Sequence, residues 1–572
     1  MGIVKFKKHI ETYERFKFNK KLEKISSLFI DCNGIFHKGK AEIYKLARDM
    51  KNNYVYPDKD REKISKLDPK ELERNHILFI INEFEKILAN FRPTSTLILA
   101  PDGMAPVAKM QQQKERRYGS DPEEDKLFMG ASISPGTDFM INLDIAIKKW
   151  LNTENKLFPK KVIYSSHLCP GEGEHKIFDF IRSRELETIY GNHVIYGADG
   201  DLFIIPLFSY LKNVYLYDEN RKEYYDLNKF KKLITKRLSY NQSFDKFIDT
   251  QLTRDFGFLT FIIGNDFMHR LPNLYDTKTS MEILIDIYKT NGKNLTNLKN
   301  QIIWTNLLSF LKLLRDYKVN GMSLYEYHAY SNFTNEYNKG WITYPELRDS
   351  FDIHDLEGND LGEVNYDPKD HILKLDMKKF SKAWYDKQFK PQTEELRKLY
   401  KDDKYYEKKD ISDMCKNYFK TLQWCLYYYN SGDKKINKDH FYPYSYTPLL
   451  ESLINYLEYQ LTLNPIPRQI TDNLFSSAKY DLTPIHQLML ILPPSNKVLI
   501  PSPFRELYTE KMSSISPVNF ITIDQEGTDA KHVKIKLIPP VNPYLVKKVI
   551  SNSGHKIPDK YGIDKPLIIK KF

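Results

Sequence analysis

Short apolar runs recur through the first half of the chain and alternate with segments of helical spacing. The apolar runs lie at 26–31, 95–102, 161–167 and 193–199. Runs of this length are typical of buried strands. Helical spacing of apolar residues is found between them, at 76–90, 106–118 and 174–191. The alternation predicts an α/β fold with a mainly parallel sheet and helices on both faces.

The remainder of the chain is less regular and more helical. A highly charged stretch at 51–75 and an acidic stretch at 350–370 both indicate exposed loops. A long apolar segment at 411–430 predicts a helix, and apolar segments at 518–524 and 533–540 predict strands. We therefore divide the chain into an α/β region, an irregular connecting region and a second, largely helical region, at 1–290, 291–410 and 411–572.

Composition excludes several classes of protein. Of the 572 residues, 41% are hydrophobic and 14% are aromatic, which is enough for a sizeable core and unlike a disordered chain. The four cysteines form no CxxC pair, which argues against a disulfide framework or a zinc knuckle. No apolar stretch approaches the roughly 18 residues of a membrane span, and the charged N-terminal segment is unlike a secretory signal. We expect an intracellular monomer, with the cytoplasm favoured over the nucleus.

Seven acidic residues stand beside glycine, asparagine or a strand end, where tight turns can present their side chains. They are Asp31, Asp102, Glu172, Glu174, Asp199, Asp201 and Asp266. Each one alone fits a helix cap or a turn residue equally well. Together they follow successive predicted strands, whose carboxyl ends form the ligand-binding edge of such sheets. We therefore predict that the seven carboxylates share one cleft.

Carboxylates gathered in one cleft repel one another unless cations neutralise them. A site that is rich in carboxylates and lacks cysteine suits Mg²⁺ or Mn²⁺. Two such ions about 4 Å apart would activate a water molecule and stabilise the leaving oxygen in phosphodiester hydrolysis. The acidic residues thus predict a metal-dependent phosphodiesterase with two ions.

A basic helix is predicted directly after Asp102. Lys109, Gln113 and Arg116 are spaced i, i+4 and i+7 and share one helical face, and Arg117 lies beside them. Near a metal cleft these groups would bind a phosphate. On its own the run also fits a solvated helix face. The net charge of +12 likewise fits either a polyanionic partner or an ordinary basic surface.

A series of segments, in one order along nearly the whole chain, resembles the Xrn family of 5′→3′ exoribonucleases. The most specific are DGMAPVAKMQQQKERR at 102–117, PGEGEHK at 170–176 and GADGD at 197–201. Others include FIDCNGIFH at 29–37, FYPYSYTPL at 441–449 and PIHQLMLILPPSNKVLIP at 484–501. The resemblance implies a PIN-like catalytic region, similar to flap nucleases, and a second region that wraps around the active site.

The resemblance also assigns roles to individual residues. It implies that the seven acids are the family's metal site, since each occupies its motif position without substitution. It implies that Lys109, Gln113, Arg116 and Arg117 bind the 5′-terminal phosphate in a pocket that accepts a monophosphate and excludes a cap or triphosphate. His37 matches the histidine that stacks on the 5′-terminal base.

The sequence departs from the family pattern in three places. A tryptophan that pairs with the stacking histidine is missing from KDHFYPYSYTP, where His440 or Phe441 is the candidate replacement. The family's GNDFLPHLP reads GNDFMHRLP here, with Asp266 retained. The chain stops near the end of the family's nuclease core, which we interpret as a compact, core-only enzyme.

The sequence therefore predicts a processive, metal-dependent 5′→3′ exoribonuclease that acts in RNA decay. Its substrate would be single-stranded RNA with a 5′-monophosphate, and its products nucleoside 5′-monophosphates. The sequence identifies no decapping or decay factor as a partner. Two alternatives stay open: a structure-specific 5′ nuclease of the flap type, and an RNA-binding scaffold with weak catalysis.

Overall fold

The computed structural model describes residues 6–11, 16–44, 68–118, 128–182, 191–209, 212–239, 246–274, 277–327, 350–355, 357, 360, 371–389, 408–431, 436–475, 481–508, 512, 514–517, 521–524 and 534–570. Some of the interpretations above fall on residues outside these ranges. They are the parts of the predicted loops, helix and strands at 51–67, 183–190, 361–370, 518–520 and 533.

A mainly parallel sheet forms the centre of the structure, as the sequence predicts. The strands are β1 (Lys17–Phe18), β2 (Ile25–Asp31), β3 (Thr96–Ala100), β4 (Lys161–Tyr164), β5 (Asn192–Tyr196), β6 (Val214–Asp218), β7 (Glu223–Asp226), β8 (Lys318–Val319), β9 (Met322–Ser323), β10 (Phe351–Asp355), β11 (His371–Leu375), β12 (Ile521–Asp524), β13 (Lys534–Leu537) and β14 (Leu567–Lys570). Eight of them form the central sheet in the order β1-β7-β6-β5-β2-β3-β4-β14. Strands β2, β3, β4, β5 and β6 all run parallel to one another. Strand β7 runs antiparallel to β6, and β14 runs antiparallel to β4.

Helices cover both faces of this sheet and build the rest of the described chain. They are α1 (Phe6–Ile10), α2 (Asn33–Ile43), α3 (Pro69–Phe91), α4 (Val107–Tyr118), α5 (Asp138–Leu151), α6 (Gly173–Arg182), α7 (Asp201–Ile204), α8 (Leu227–Leu238), α9 (Lys246–Ile262), α10 (Thr277–Asn291), α11 (Trp304–Asp316), α12 (Met377–Phe389), α13 (Lys408–Ser431), α14 (Leu450–Leu463), α15 (Arg468–Thr471), α16 (Pro484–Ile491), α17 (Phe504–Leu507) and α18 (Pro543–Ser553). No described helix is both long enough and apolar enough to cross a lipid bilayer.

Alternating side chains on the strands separate two hydrophobic cores. Phe29, Ile98 and Ile195 point into a large core that also contains apolar residues of α6 to α9 and of α13. Leu28 and Ile30 point to the other face, where α2, α3 and α5 pack. Because α13 belongs to the same core as the sheet, the predicted α/β and helical regions are joined through shared hydrophobic packing.

A third core joins the basic helix to the late part of the chain. Val107 and Met110 of α4 are buried against Leu488 and other apolar residues of α16, together with residues of α17 and α18. Two side chains of α4 support this contact: Gln111 accepts the backbone N–H of Val541 over 2.9 Å, and Lys114 donates to the carbonyl oxygen of Pro539 over 2.7 Å. Helix α4 therefore has one face fixed by residues more than 400 positions along the chain.

Two features differ from the sequence-based expectations, and the late strands, which were expected, add a third observation. Residues 68–75, assigned to an exposed loop, begin helix α3, where Asp68 accepts the N–H of Lys70 over 3.2 Å as a cap. Residues 351–355, assigned to a surface loop, form β10 and pair with β11. The predicted strands β12 and β13 are present but form a separate hairpin. The late strand that extends the central sheet is β14, which pairs antiparallel with β4.

Candidate active site

The predicted acidic residues follow the carboxyl ends of adjacent parallel strands. Asp31 is the last residue of β2, and Asp102 and Asp199 lie two and three residues beyond β3 and β5. The other acids lie at the starts of α6 and α7 and beyond α9, and they are Glu172, Glu174, Asp201 and Asp266. The strand order reverses at β2, which lies between β3 and β5. This reversal is where parallel α/β sheets bind their ligands.

Three of the acids form the centre of this cluster. One carboxylate oxygen from each of Asp31, Asp102 and Glu174 lies within 4.8 Å of the others. Asn33 fixes Asp102 through two hydrogen bonds. Nδ2 of Asn33 donates to Oδ2 of Asp102 over 2.5 Å, and Oδ1 of Asn33 accepts the backbone N–H of Asp102 over 3.1 Å. The N–H of Gly173 donates to Oδ1 of Asp102 over 2.8 Å. A Cβ at this glycine would lie 2.9 Å from Oδ1 of Asp31, so only glycine lets α6 begin this close to the acids.

Burial and mutual repulsion raise the pKa of several of these carboxyl groups. Burial, followed by the charges of Asp102 and Asp199, holds the pKa of Asp31 well above its ordinary value. Burial and neighbouring carboxylates have the same effect on the pKa of Glu174. The buried Oδ1 atoms of Asp31 and Asp201 accept no hydrogen bond from the described residues. Crowded carboxylate oxygens without donors are the environment that a hard divalent cation stabilises. The residues present therefore fit a metal site.

Lys109 lies inside the acidic cluster. Its Nζ is 2.6 Å from Oε2 of Glu172 and 2.7 Å from Oδ2 of Asp266. Burial alone would lower the pKa of Lys109, but the charges of Asp266 and Glu172 raise it well above its ordinary value. The sequence analysis grouped Lys109 with the phosphate-binding face of α4. The structure places its ammonium group against two of the predicted metal ligands.

Two tyrosines of α13 reach the acids from the other side. The Tyr428 hydroxyl donates to Oε1 of Glu172 over 2.5 Å, and the Tyr429 hydroxyl donates to Oδ2 of Asp201 over 3.2 Å. The Tyr428 ring also stacks on the ring of His175, with the centroids 3.9 Å apart. These hydroxyls orient carboxylates that lie more than 200 positions earlier in the chain.

A second group of residues combines two guanidinium groups with an aromatic ring. The His37 side chain is exposed to solvent, yet surrounding protein atoms and then the charge of Arg116 lower its pKa to about 4. Arg117 donates to Oγ of Ser134 over 2.5 Å, and burial followed by the charge of Arg116 lowers its pKa to about 9. This group of residues, named the arginine recess below, offers positive charge and a neutral ring, which suit a phosphate attached to a planar group.

Gln113 is buried at the contact between α4 and α16. Its Oε1 accepts from Nε2 of Gln487 over 3.1 Å, and Oε1 of Gln487 accepts the N–H of Ala105 over 3.0 Å. The four residues predicted for one phosphate pocket thus have three environments. Lys109 contacts the acids, Gln113 contacts α16, and the two arginines lie near His37.

The structure does not support His440 as the replacement for the missing tryptophan. His440 is buried, its Nε2 is 3.0 Å from Oγ1 of Thr421, and its ring packs against Trp424. Burial lowers its pKa to about 3, so it is a neutral core residue with no face open to a base. Phe441 is partly buried and packs against two of the hydrophobic cores.

Sequence reasoning missed the residues that hold the acids in place. Asn33 stands two positions after Asp31, and an amide so close to a strand-end carboxylate was a usable signal. Tyr428 and Tyr429 carry no such signal, because a run of tyrosines within an apolar helix predicts only burial.

Two family models match this chain. The model described as XRN 5'-3' exonuclease N-terminus matches residues 1–127 and 119–220, and the model described as Xrn1 helical domain matches residues 351–551. The first match contains six of the seven acids, and the second contains helix α13.

Curated relatives match over most of this chain. It is 25% identical to 5'-3' exoribonuclease 1 of Saccharomyces cerevisiae over 96% of this chain and 43% of that protein. It is 24% identical to 5'-3' exoribonuclease 1 of Homo sapiens over 97% of this chain and 34% of that protein. It is 23% identical to the 5'-3' exoribonuclease 2 homolog of Drosophila melanogaster, over 89% and 65% of the two chains. The chain thus spans less than half the length of the yeast and human relatives.

Proposed function

Because the chain belongs to the Xrn family of 5′–3′ exoribonucleases, we propose that it degrades single-stranded RNA one nucleotide at a time from the 5′ end. The proposed substrate carries a 5′-monophosphate, and the proposed products are nucleoside 5′-monophosphates. The observation that carries this proposal is the meeting of the Asp31, Asp102 and Glu174 carboxylates within 4.8 Å at the reversal point of the sheet.

The proposal includes Mg²⁺ or Mn²⁺ as cofactor. Asp31, Asp102 and Glu174 would hold one ion, and Asp199 and Asp201, with Asp266 nearby, would hold a second. Such ions supply an activated water and stabilise the charge on the leaving oxygen. The support for this is chemical: the donors are all carboxylates, and two of their buried oxygens accept no hydrogen bond from the described residues.

The chain's own residues account for the positioning of the RNA. In the proposed reaction, a water oxygen bonds to phosphorus, the bond from phosphorus to O3′ breaks, and O3′ takes up a proton. Arg116 and Arg117 would hold the 5′-phosphate by charge-assisted hydrogen bonds, and His37 would stack on the first base as a neutral ring. Lys109 would keep Glu172 and Asp266 oriented beside the scissile phosphate.

The proposal extends to direction and processivity. Hydrolysis of this bond leaves a new 5′-phosphate on the shortened RNA, which can enter the arginine recess for the next step. The proposal includes a narrow entrance that admits one strand, bordered by α13, which packs beside the acids, and by α16, which packs on α4.

The deciding experiment compares one RNA sequence with a 5′-monophosphate, a 5′-hydroxyl or a cap, in Mg²⁺ and in EDTA. We expect rapid loss of the monophosphate RNA alone, with release of mononucleotides and complete inhibition by EDTA. The control is the double variant Asp31→Ala with Asp199→Ala, which should bind RNA without degrading it. Binding without decay of any RNA by the unaltered chain would favour the scaffold alternative, and cleavage at a branch point the flap nuclease.

A further inference from the structure

A cavity of about 450 Å³ lies on the opposite edge of the sheet from the acids. Asn213, which lines it, directly precedes β6, and its carbonyl oxygen accepts the N–H of His193 near the start of β5. Asp199 follows the other end of β5. Since a strand rises about 3.3 Å per residue, roughly 15 Å or more separates the cavity from the acidic cluster. The cavity is therefore distinct from the candidate active site.

The wall of this cavity is basic. Lys212, Lys231 and Lys232 line it, and none of the described lining residues is acidic. Lys231 donates to the carbonyl oxygen of Ser209 over 2.5 Å, and burial lowers its pKa to about 8. No carboxylate of the described residues offsets this effect. An ammonium group has three donors, so an anion in the cavity would meet a desolvated lysine that is able to bind it.

The floor of the cavity includes one aromatic ring among the described residues. Phe208 lines it, and its ring stacks on Phe261 with the centroids 6.5 Å apart. Gly257 makes this position possible, because a Cβ there would lie 2.6 Å from Cζ of Phe208. The cavity thus combines an apolar, aromatic floor with a cationic wall, and its volume is within the range of about 300–1,000 Å³ typical of small-molecule sites.

We propose that this cavity binds a nucleoside 5′-monophosphate, with its phosphate at Lys212, Lys231 and Lys232 and its base against the apolar floor at Phe208. The chemistry requires both halves of the ligand: the lysines recognise the dianionic phosphate, and the aromatic floor removes the base from water. If the chain has the proposed nuclease activity, this ligand has the chemistry of its product. Recognition by the cavity does not depend on that activity.

The test is calorimetric titration of the full chain with adenosine 5′-monophosphate, inorganic phosphate and adenosine in separate runs. EDTA is present throughout, so that no metal supports binding at the acidic cluster. We expect a mononucleotide site at the lysines that is separate from binding at the arginine recess, and at least tenfold weaker binding of phosphate and of adenosine to it. The double variant Lys212→Ala with Lys232→Ala should weaken mononucleotide binding at least tenfold, as should Lys231→Met. Because Lys212 and Lys232 are exposed, the double variant should fold normally.

Two further variants locate the site. Lys236→Ala removes an exposed lysine of the same helix that does not line the cavity, and it should leave binding unchanged. Arg116→Ala should remove the mononucleotide binding at the arginine recess and leave the binding that depends on the lysines. The inference is overturned if Arg116→Ala abolishes binding while the lysine variants do not, if phosphate binds as tightly as the mononucleotide, or if no mononucleotide binds. If the chain binds the mononucleotide through the lysines but degrades no RNA, the proposed function is refuted and the inference about the cavity stands.

Discussion

Removing the Tyr428 hydroxyl should weaken the metal site without disturbing the fold. In the structure this hydroxyl donates to Oε1 of Glu172 over 2.5 Å, and Lys109 occupies the other oxygen of that carboxylate over 2.6 Å. Tyr428→Phe keeps the ring and its stacking on His175 and deletes only the donor. Glu172 would then be a buried carboxylate with a single side-chain partner among the described residues, and with more freedom to rotate.

The expected magnitude follows from the type of bond. A hydrogen bond to a charged group contributes about 1.5–3 kcal/mol, and each 1.36 kcal/mol corresponds to about tenfold. Because this bond is short and buried, we expect Tyr428→Phe to lower kcat/KM for 5′-monophosphate RNA by about 10- to 100-fold. Since the bond orients a predicted metal ligand, the Mg²⁺ concentration for half-maximal activity should rise as well. Excess Mg²⁺ should restore part of the lost rate.

Two neighbouring tyrosines on the same helix provide matched controls. Tyr429→Phe removes the longer bond to Asp201, of 3.2 Å, and should have a smaller effect in the same direction. Tyr427→Phe should have no effect on the Mg²⁺ dependence, because the Tyr427 ring packs on Phe475 instead. Equal losses in all three variants, or a loss in Tyr428→Phe with an unchanged Mg²⁺ requirement, would show that the hydroxyl does not position Glu172.

Three other changes test different parts of the structure. Asp31→Asn removes one crowded carboxylate, so the melting temperature in EDTA should rise and the additional stabilisation by Mg²⁺ should become smaller. A lower melting temperature in EDTA would contradict the argument that the carboxylates repel one another. Arg116→Ala should reduce the preference for 5′-phosphate over 5′-hydroxyl RNA by about 10- to 100-fold in competition kinetics, and an intact preference would place the pocket elsewhere. Lys114 donates to the carbonyl oxygens of Ile515 and Pro539, and burial lowers its pKa to about 7. Between about pH 7 and 10, Lys114 is therefore protonated in the unfolded chain and largely neutral in the folded chain. Chemical denaturation should therefore show that the free energy of unfolding rises with pH across this window, and that it rises less in Lys114→Met than in the unaltered chain. An equal dependence on pH in the two chains would refute the assignment.

The strand ends were predictable because two independent signals coincide there. An apolar run must leave the core somewhere, and an acidic residue such as Asp31 at its end marks the place. Parallel order then brings these ends to one edge whatever the details of the loops. The position of a site on an α/β sheet is therefore accessible from sequence even where the helix boundaries, such as the start of α3, are not.

Side-chain partners over long sequence distances were not predictable. The spacing of Lys109 and Arg116 on α4 correctly indicates one helical face, but it does not say what faces each residue. Lys109 contacts acids and Gln113 contacts Gln487 because α4 lies between the acidic cluster and α16. The same limit applies to β14, a short run that completes one edge of the sheet only because β4 is available as a partner.

The helical region is part of the site rather than a cover placed over it. Buried carboxylates destabilise the folded chain unless donors or cations compensate them, and the sheet alone supplies few donors. Lys109 and Tyr428 supply two of the donors to Glu172, and Tyr428 does so from 256 positions along the chain. Local unfolding of α13 would remove this donor and the hydroxyl that binds Asp201 in one step. The acidic cluster and α13 should therefore be protected together in hydrogen exchange, and a bound divalent cation should increase the protection of both.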